Sequence, residues 1–170
     1  MEVKNINEDN YLEFIETIKE LVSNNELNKA EEYLLKIIFI LENISIRKGI
    51  GVSPGFYMDL AKIYKKQKNK DKEREILHQY LIQHKPGGSL SQKIFERYLK
   101  IVKPTNLDEL KDSLYEEYQN KIILAKLKTK FIECSFCKKK IKMVIPSSNY
   151  PVFRGTCPRC YESNLFIVDK

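Results

Sequence analysis

Residues 134–160 read CSFCKKKIKMVIPSSNYPVFRGTCPRC, and a C-x-x-C pair stands at each end of this stretch. Nineteen residues separate the two pairs, a spacing typical of four-cysteine zinc sites. The two-residue gap folds each pair into a tight turn that presents two sulfurs to one ion, and two such turns complete a tetrahedron. Because the protein supplies all four ligands, the sequence predicts a structural site with no open position for substrate. The predicted metal ligands are Cys134, Cys137, Cys157 and Cys160.

The same four cysteines are compatible with three other kinds of site. Iron in a rubredoxin-like centre uses the same four ligands. A redox pair needs a thioredoxin-like βαβ setting, which this sequence does not predict. Disulfides conflict with the cytoplasmic location that we expect, because the N-terminus lacks the basic start and the apolar stretch of a secretory signal. Zinc is therefore the cofactor that the sequence favours.

The segment around the cysteines has the pattern of short strands. Alternating apolar and polar residues predict a strand over 141–145, a second apolar strand covers 164–168, and the Pro-Ser-Ser-Asn sequence at 146–149 predicts a turn. With its two cysteine pairs, the segment from about 131 to 169 resembles the zinc ribbon family, in which two metal-binding knuckles lie at the tips of small β-hairpins. The resemblance implies metal ligation by all four cysteines. Many ribbons place glycine directly after each pair, and this chain has Lys138 and Tyr161 there.

Residues 8–128 carry the three- and four-residue apolar spacing of amphipathic helices. Ser89 and Asn106 each precede a Gln or Glu by three residues, as in a capping box. Six helices with short connections predict a mainly α fold of three antiparallel hairpins, to which the C-terminal segment adds a small β ribbon. We therefore divide the chain into a helical-hairpin domain over 1–130 and a zinc ribbon domain over 131–170. The predicted helices cover residues 8–23, 26–44, 54–67, 71–84, 89–103 and 106–128.

The helical part resembles tetratricopeptide-type repeats over about residues 11–87. In a frame of about 34 residues that begins at Pro54, family positions are occupied by Tyr57, Leu60, Ala61, Tyr64 and Leu77. In a second frame that begins at Tyr11, the matching positions are Phe14, Leu21, Ala30 and Leu34. Larger or charged residues stand where the family has small ones at Ile18, Ile37, Glu73 and Tyr80. The resemblance implies a concave groove for a peptide or a partner helix, whereas a plain helical bundle would bury the same stripes without one.

The charge of the chain is positive and unevenly distributed. The formal net charge is +7, yet residues 1–60 hold 11 acidic and 6 basic residues. A basic C-terminal half attracts phosphate, and lysines interleaved with aromatic residues are typical of surfaces that bind single-stranded nucleic acid. The candidate nucleic-acid contacts are Lys138, Lys139, Lys140, Arg154 and Arg159, with Phe136, Tyr150, Phe153, Tyr161 and Phe166 as the aromatic residues.

Both basic regions also have a purely structural interpretation. Four thiolates on one zinc ion carry a net charge of about −2, which nearby cations offset. A second basic run holds six lysines between residues 62 and 72, and this run is either a solvated helix face or a phosphate contact.

No catalytic constellation is apparent in the sequence. It contains no P-loop, G-x-G-x-x-G or G-x-S-x-G motif, and His78 and His84 lie six residues apart, which does not align them on one helix face. No apolar run approaches the roughly 20 residues of a membrane span. We therefore expect a non-enzymatic cytoplasmic adaptor that binds a protein partner through its helical domain.

Two other functions remain as hypotheses. One is a nucleic-acid-binding regulator that uses the ribbon and the adjacent basic helical face. The other is an enzyme, or an enzyme subunit whose site is shared across an interface. The apolar stripes of the helices are complete without residues 131–170, so the helices are expected to stay folded when the metal is removed.

Overall fold

The structure is a computed structural model that describes residues 5–145 and 152–167. Six helices precede two β-hairpins, so the predicted mainly α fold with a small β region is confirmed. None of the described helices combines the length and the apolar composition that crossing a membrane requires. The helices are α1 (Phe14–Ser23), α2 (Leu27–Lys48), α3 (Pro54–Lys66), α4 (Lys70–Leu81), α5 (Ser89–Val102) and α6 (Leu107–Leu124). The strands are β1 (Thr129–Glu133), β2 (Lys140–Val144), β3 (Val152–Thr156) and β4 (Ser163–Ile167).

The starts of α5 and α6 show one capping prediction that is confirmed and one that is wrong. The Asn106 side chain accepts hydrogen bonds from the backbone N–H groups of Asp108 and Glu109, which satisfies two donors at the start of α6. Ser89 is the first residue of α5 and makes no capping hydrogen bond, because Gly88 occupies the N-cap position.

Two helices end earlier than predicted, in segments that contact the β-hairpins. Helix α6 ends at Leu124, and Lys126 has a φ of 52°, in the left-handed region that stops a helix. Helix α4 ends at Leu81, and the residues up to Gly88 instead run along the second hairpin. Strands β2 and β4 match the predicted ones, whereas β1 and β3 were not predicted. Strand β1 begins within reach of the predicted helix end, and β3 contains Gly155, which weakens a strand pattern. The predicted turn at 146–149 lies outside the described residues.

The helices α1 to α5 pack against one another in sequence order around one apolar core. Glu73 and Tyr80, which depart from the tetratricopeptide pattern, both reach α5. Arg97 Nε donates a hydrogen bond of 2.8 Å to the Glu73 carboxylate, and the Tyr80 hydroxyl shares one of 2.5 Å with Ser91. Two positions that hold small residues in tetratricopeptide repeats here hold polar side chains that attach α4 to α5.

Helix α6 covers the outer edge of β2. The two hairpins are separate antiparallel sheets, β1 with β2 and β3 with β4. The hydroxyl oxygens of Tyr115 and Tyr118 accept hydrogen bonds from the backbone N–H groups of Lys142 (2.5 Å) and Val144 (3.4 Å). These hydroxyls supply the partners that a third strand would otherwise provide.

The segment after α4 covers the outer edge of β3. Pro86 forms an isolated antiparallel bridge with Gly155, and Thr156 Oγ1 donates a hydrogen bond of 2.7 Å to the Pro86 carbonyl. The loop after α2 packs directly behind this segment, because Gly51 has no side chain. A Cβ atom on Gly51 would lie 2.3 Å from the Pro86 nitrogen.

The ring of Tyr161, the residue after the fourth cysteine, lies in the helical core. It is fully buried and stacks on the Phe95 ring, with a centroid distance of 4.1 Å and an interplanar angle of 17°. The core of the helices therefore includes a residue of the ribbon, which differs from the expectation that their apolar stripes are complete alone. Side-chain packing therefore joins the helical part to the strand-forming part that begins near residue 130.

Replacing Gly51 with alanine is expected to destabilise the protein, because the added methyl group would clash with backbone atoms of residues 85 and 86. Overpacking of this kind costs about 1–3 kcal/mol. Gly55→Ala is the matched control, since its Cβ would meet nothing closer than Ser53 Oγ at 3.9 Å. Denaturant unfolding of both variants measures the difference, and equal free energies of unfolding would contradict the close packing at Gly51.

Candidate metal centre

The two cysteine pairs adopt the same backbone geometry. In the first pair, the Cys134 N–H donates a hydrogen bond of 3.1 Å to the Lys139 carbonyl, and the Lys138 N–H donates one of 2.9 Å to the Cys134 carbonyl. The second pair repeats both bonds at the corresponding positions, at 2.9 and 3.0 Å. Each pair therefore forms a tight turn at the tip of one β-hairpin, with both cysteines held by the backbone.

The residue after each pair has a left-handed backbone. Lys138 has a φ of 56° and Tyr161 a φ of 64°, at the positions where many zinc ribbons have glycine. A residue with a Cβ adopts this conformation at a cost of roughly 1–2 kcal/mol. At Tyr161 the buried ring offsets that cost by packing on Phe95. Lys138 is exposed and has no comparable contact.

The four predicted ligands come together at one point. Their sulfur atoms all lie within 4.8 Å of one another, and the Cys134 and Cys160 sulfurs are 3.7 Å apart. A tetrahedron with metal–sulfur bonds of about 2.3 Å has sulfur–sulfur edges of about 3.8 Å. The sulfur arrangement therefore fits one tetrahedrally coordinated ion, and the ligand set suits zinc and iron alike. When bound, such an ion would crosslink the two hairpin tips.

The sulfur atoms do not share one electrostatic environment, and burial raises the pKa of Cys134. The Cys160 N–H points at the Cys157 sulfur, with 3.5 Å between nitrogen and sulfur. The hydrogen bond between the Cys157 and Cys160 sulfurs raises the pKa of Cys157, with burial adding to the rise, and lowers the pKa of Cys160 to about 5. Of these two adjacent thiols, Cys157 therefore keeps its proton to the higher pH. A metal ion takes the place of such protons when thiols become ligands.

Lys85 is a buried cation next to this centre that the sequence did not predict. Its ammonium group lies 5.1 Å from the centre of the Tyr161 ring and 5.4 Å from that of Tyr118, and it donates a hydrogen bond of 2.9 Å to the Gln83 carbonyl. Burial lowers the pKa of Lys85 to about 7, while the charge of Cys157 acts in the opposite direction. A metal–thiolate centre with a net charge of about −2 would favour the charged ammonium.

The cations predicted to contact nucleic acid divide into two groups. Arg159 forms an ion pair of 2.6 Å with Asp112 on α6, and its side chain is mostly buried, so it joins the ribbon to the helices. Lys138, Lys139, Lys140 and Arg154 are exposed. Arg159 is therefore not part of an open basic surface.

The aromatic residues predicted to interleave with these cations are mostly inside the protein. Tyr161 and Phe166 are buried, and Phe153 packs on Phe166 with 5.5 Å between ring centroids. Phe136 is exposed, and Tyr150 lies outside the described residues. The structure adds Phe131, which the sequence analysis did not select and whose ring is exposed beside Lys142.

Comparisons with protein families, with curated proteins and with solved structures find no match to this chain. The metal centre is therefore inferred from the sulfur geometry and the two backbone turns of the chain itself.

Substituting glycine after each cysteine pair separates backbone strain from ring packing. Lys138→Gly is expected to raise the free energy of unfolding by up to about 1 kcal/mol, because glycine adopts positive φ without strain. Tyr161→Gly relieves the same strain but removes a buried ring, at a cost of about 3–5 kcal/mol.

Tyr161→Phe is the control for the second variant. The Tyr161 hydroxyl is buried and has no hydrogen-bond partner among the described residues, so its removal should leave stability unchanged or raised. Thermal and denaturant unfolding measure all three variants. A Tyr161→Gly protein as stable as Lys138→Gly would contradict a structural role for the ring.

Proposed function

We propose that this protein is a non-enzymatic adaptor that binds an extended segment of a partner protein and is stabilised by a structural zinc ribbon. The four cysteines supply a complete tetrahedral set and leave no open ligand position for chemistry. Helical hairpins of the tetratricopeptide type act as the scaffold on which the ribbon is seated. The observation that carries the proposal is an open groove between β1 and β4 that holds exposed apolar side chains.

The outer edge of β1 has backbone groups available for pairing. The bond of 3.0 Å from the Ile145 N–H to the Lys128 carbonyl sets the alternation of the first hairpin. In an antiparallel pair, residues bonded to the partner strand alternate with residues whose backbone groups point away from it. Even-numbered residues of β1 therefore bond to β2. The odd-numbered residues direct their backbone N–H and C=O groups outward, and they are Thr129, Phe131 and Glu133.

The outer edge of β4 faces β1 across the groove. The bond of 2.9 Å from the Cys157 N–H to the Glu162 carbonyl sets the alternation of the second hairpin, so Leu165 and its odd-numbered neighbours direct their backbone groups outward. The Leu165 N–H donates a hydrogen bond of 2.8 Å to the Asn164 side-chain oxygen. A hydrogen bond of 2.7 Å from Asn164 Nδ2 to Ser135 Oγ joins the two hairpins near the cysteines. In the part of the chain that the structure describes, α6 covers β2 and the segment after α4 covers β3, which leaves β1 and β4 as the uncovered edges.

We call the space between these two edges the ribbon groove. It is a cavity of about 580 Å³ lined by residues of β1 and β4, among them Phe131, Glu133, Leu165 and Ile167. Phe131 is 68% exposed, Leu165 59% and Ile167 65%. Large apolar side chains at this exposure, clustered beside the outward backbone groups of β1, mark an interaction site and are costly to leave in water.

An extended peptide matches this combination. Main-chain hydrogen bonds to a sheet edge give affinity, and apolar side chains beside the edge select alternate residues of the added strand. Lys140 also lines the ribbon groove, so a partner strand with apolar and acidic residues has complementary charge there. The sequence alone assigned partner docking to the helical domain, and the exposed groups favour the ribbon groove instead.

The metal content of the purified protein tests the structural part of the proposal. We expect about one zinc ion per chain, because four thiolates satisfy its tetrahedral preference. Cys157→Ser should lower the zinc content and also the unfolding midpoint of the helices, since Tyr161 lies four residues away and packs in their core. Elemental analysis and circular dichroism measure the two effects. Iron in place of zinc would overturn the choice of metal, and an unchanged helical midpoint would contradict the coupling.

Two phenylalanines of equal exposure test where the partner binds. Phe131 in the ribbon groove and Phe39 on α2 are both 68% exposed. Phe131→Glu is expected to abolish recovery of a partner protein that co-purifies from the native host, while Phe39→Glu leaves recovery unchanged. Zinc content and unfolding midpoint should match the unsubstituted protein in both variants. Loss of the partner with Phe39→Glu alone would place docking on the helices.

Nucleic-acid binding through the ribbon is a second candidate function. Lys138, Lys139 and Lys140 are consecutive and exposed, and Phe136 between the first two cysteines is 57% exposed. An exposed ring beside cations stacks on unpaired bases while the lysines contact phosphates. Neutralising the three lysines would remove binding of single-stranded nucleic acid if this surface were its site.

A further inference from the structure

Cationic side chains from α3, α4, α5 and their connections line one groove between these helices. It is a cavity of about 930 Å³, and we call it the lysine groove. Seven of its lining side chains are cationic, namely Arg97 and six lysines, and two are carboxylates, Glu73 and Glu96. The lysines are Lys65, Lys68, Lys70, Lys93, Lys100 and Lys103.

Several lysines outside the lysine groove are neutralised by a carboxylate. Lys19 pairs with Glu16, Lys29 with Glu26, Lys62 with Asp59 and Lys72 with Glu31. Among the described residues, no carboxylate forms an ion pair with any of the six lysines that line the groove. Six unneutralised ammonium groups around one concavity repel one another, and an anion in the cavity would remove that repulsion.

The carboxylate at the floor of the lysine groove is already neutralised. Glu73 is buried and pairs with Arg97 at 2.7 Å, and Arg97 also donates a hydrogen bond of 2.9 Å to the Ala61 carbonyl. These bonds hold the Arg97 guanidinium against α3, and its positive charge neutralises the Glu73 carboxylate. Among the described residues that line the cavity, Glu96 is then the one carboxylate left to oppose the six lysines, so the cavity keeps a large positive potential.

Helix dipoles account for some of these lysines but not for all of them. Lys65, Lys100 and Lys103 lie at the C-terminal ends of α3 and α5, where a cation is favourable. Lys70 is the first residue of α4, where a cation is unfavourable, and Lys93 lies in the first half of α5. Lys68 follows the end of α3 with a φ of 56°, and its N–H bonds to the Lys65 carbonyl, so the dipole of α3 favours it as well. The dipoles do not explain why Lys70 and Lys93 line the same cavity, whereas an anionic ligand does.

We propose that the lysine groove binds a linear chain of phosphate groups, as in the backbone of single-stranded nucleic acid or in inorganic polyphosphate. A concave site admits a narrow single chain more readily than the broad convex surface of a duplex. No aromatic side chain is among the described residues that line this cavity, so bases have no stacking partner and the contacts are with phosphates. The site is independent of the adaptor role and of the ribbon groove.

Titration of the full-length, zinc-loaded protein at two salt concentrations tests the site. The probes are an oligouridylate of about ten nucleotides, inorganic polyphosphate, and a duplex RNA of equal length. Contacts from six lysines predict a slope of log affinity against log salt of about −4 for a single strand. The triple variant Lys68→Gln, Lys70→Gln, Lys93→Gln should reduce this slope to about −2 and weaken binding at least about tenfold at low salt.

The matched control is Lys19→Gln, Lys29→Gln, Lys62→Gln, which removes the same charge from paired lysines outside the lysine groove. It should bind like the unsubstituted protein, and so should Phe131→Glu. Equal weakening by this control would overturn the site in favour of general attraction. Loss of binding only when Lys138, Lys139 and Lys140 are neutralised would also overturn it and favour the ribbon.

The three probes identify the ligand. Binding of both polyphosphate and oligouridylate supports recognition of phosphates alone, and binding of only one of them assigns the groove to that polymer. Tighter binding of the duplex than of either single chain would overturn the proposal, as would the absence of binding at low salt.

Discussion

Tyr161 ties the metal centre to the helices, because its backbone and its side chain belong to different parts of the fold. Its N–H closes the turn around Cys157, and its φ of 64° is the conformation that this turn demands. Its ring lies against Phe95 in the core of the helices. An aromatic pair of this kind adds about 0.5–1.5 kcal/mol beyond the burial of its area. The ring position therefore depends on the second cysteine turn, and the helical core depends on the ring.

The uncovered edges of the ribbon follow from how it is seated. Tyrosine hydroxyls on α6 cover β2, and the segment around Pro86 covers β3. Both of these partners belong to the helical part. The outer edges of β2 and β3 therefore find their hydrogen-bond partners on the side of the helices. Strands β1 and β4 are left to face one another across the ribbon groove, where a partner strand would complete the hydrogen bonding. The binding site that we propose is thus a consequence of the docking geometry.

The sequence predicted the features that local spacing determines. The four cysteines come together because each pair forms its own turn, and the apolar stripes place the helices to within a few residues. Features that depend on contacts between residues far apart in the chain could not be predicted from the sequence. Arg159 was grouped with exposed cations, although its partner Asp112 lies on α6. Lys85 is one lysine among many in the sequence, and only its packing against the Tyr118 and Tyr161 rings makes it part of the centre.

The same reasoning explains the errors in secondary structure. Strand β1 follows α6 closely, and its register is set by its pairing with β2 rather than by its own alternation. Strand β3 tolerates Gly155 because the site is crowded: a Cβ there would lie 3.3 Å from both Met143 and Phe153. Tertiary contacts determine where both strands form, and a short window of sequence does not contain those contacts.

The position of Tyr161 late in the sequence also sets an order in which the parts of the fold can form. A chain is synthesised from its N-terminus, so helices α1 to α6 are made before residue 161 is added. Until then the nascent helices can associate, but the face of Phe95 has no aromatic partner and remains accessible to water or to a chaperone. Closure of the second cysteine turn delivers the ring, so the final step in consolidating the helices is made by the last cysteine pair to be translated.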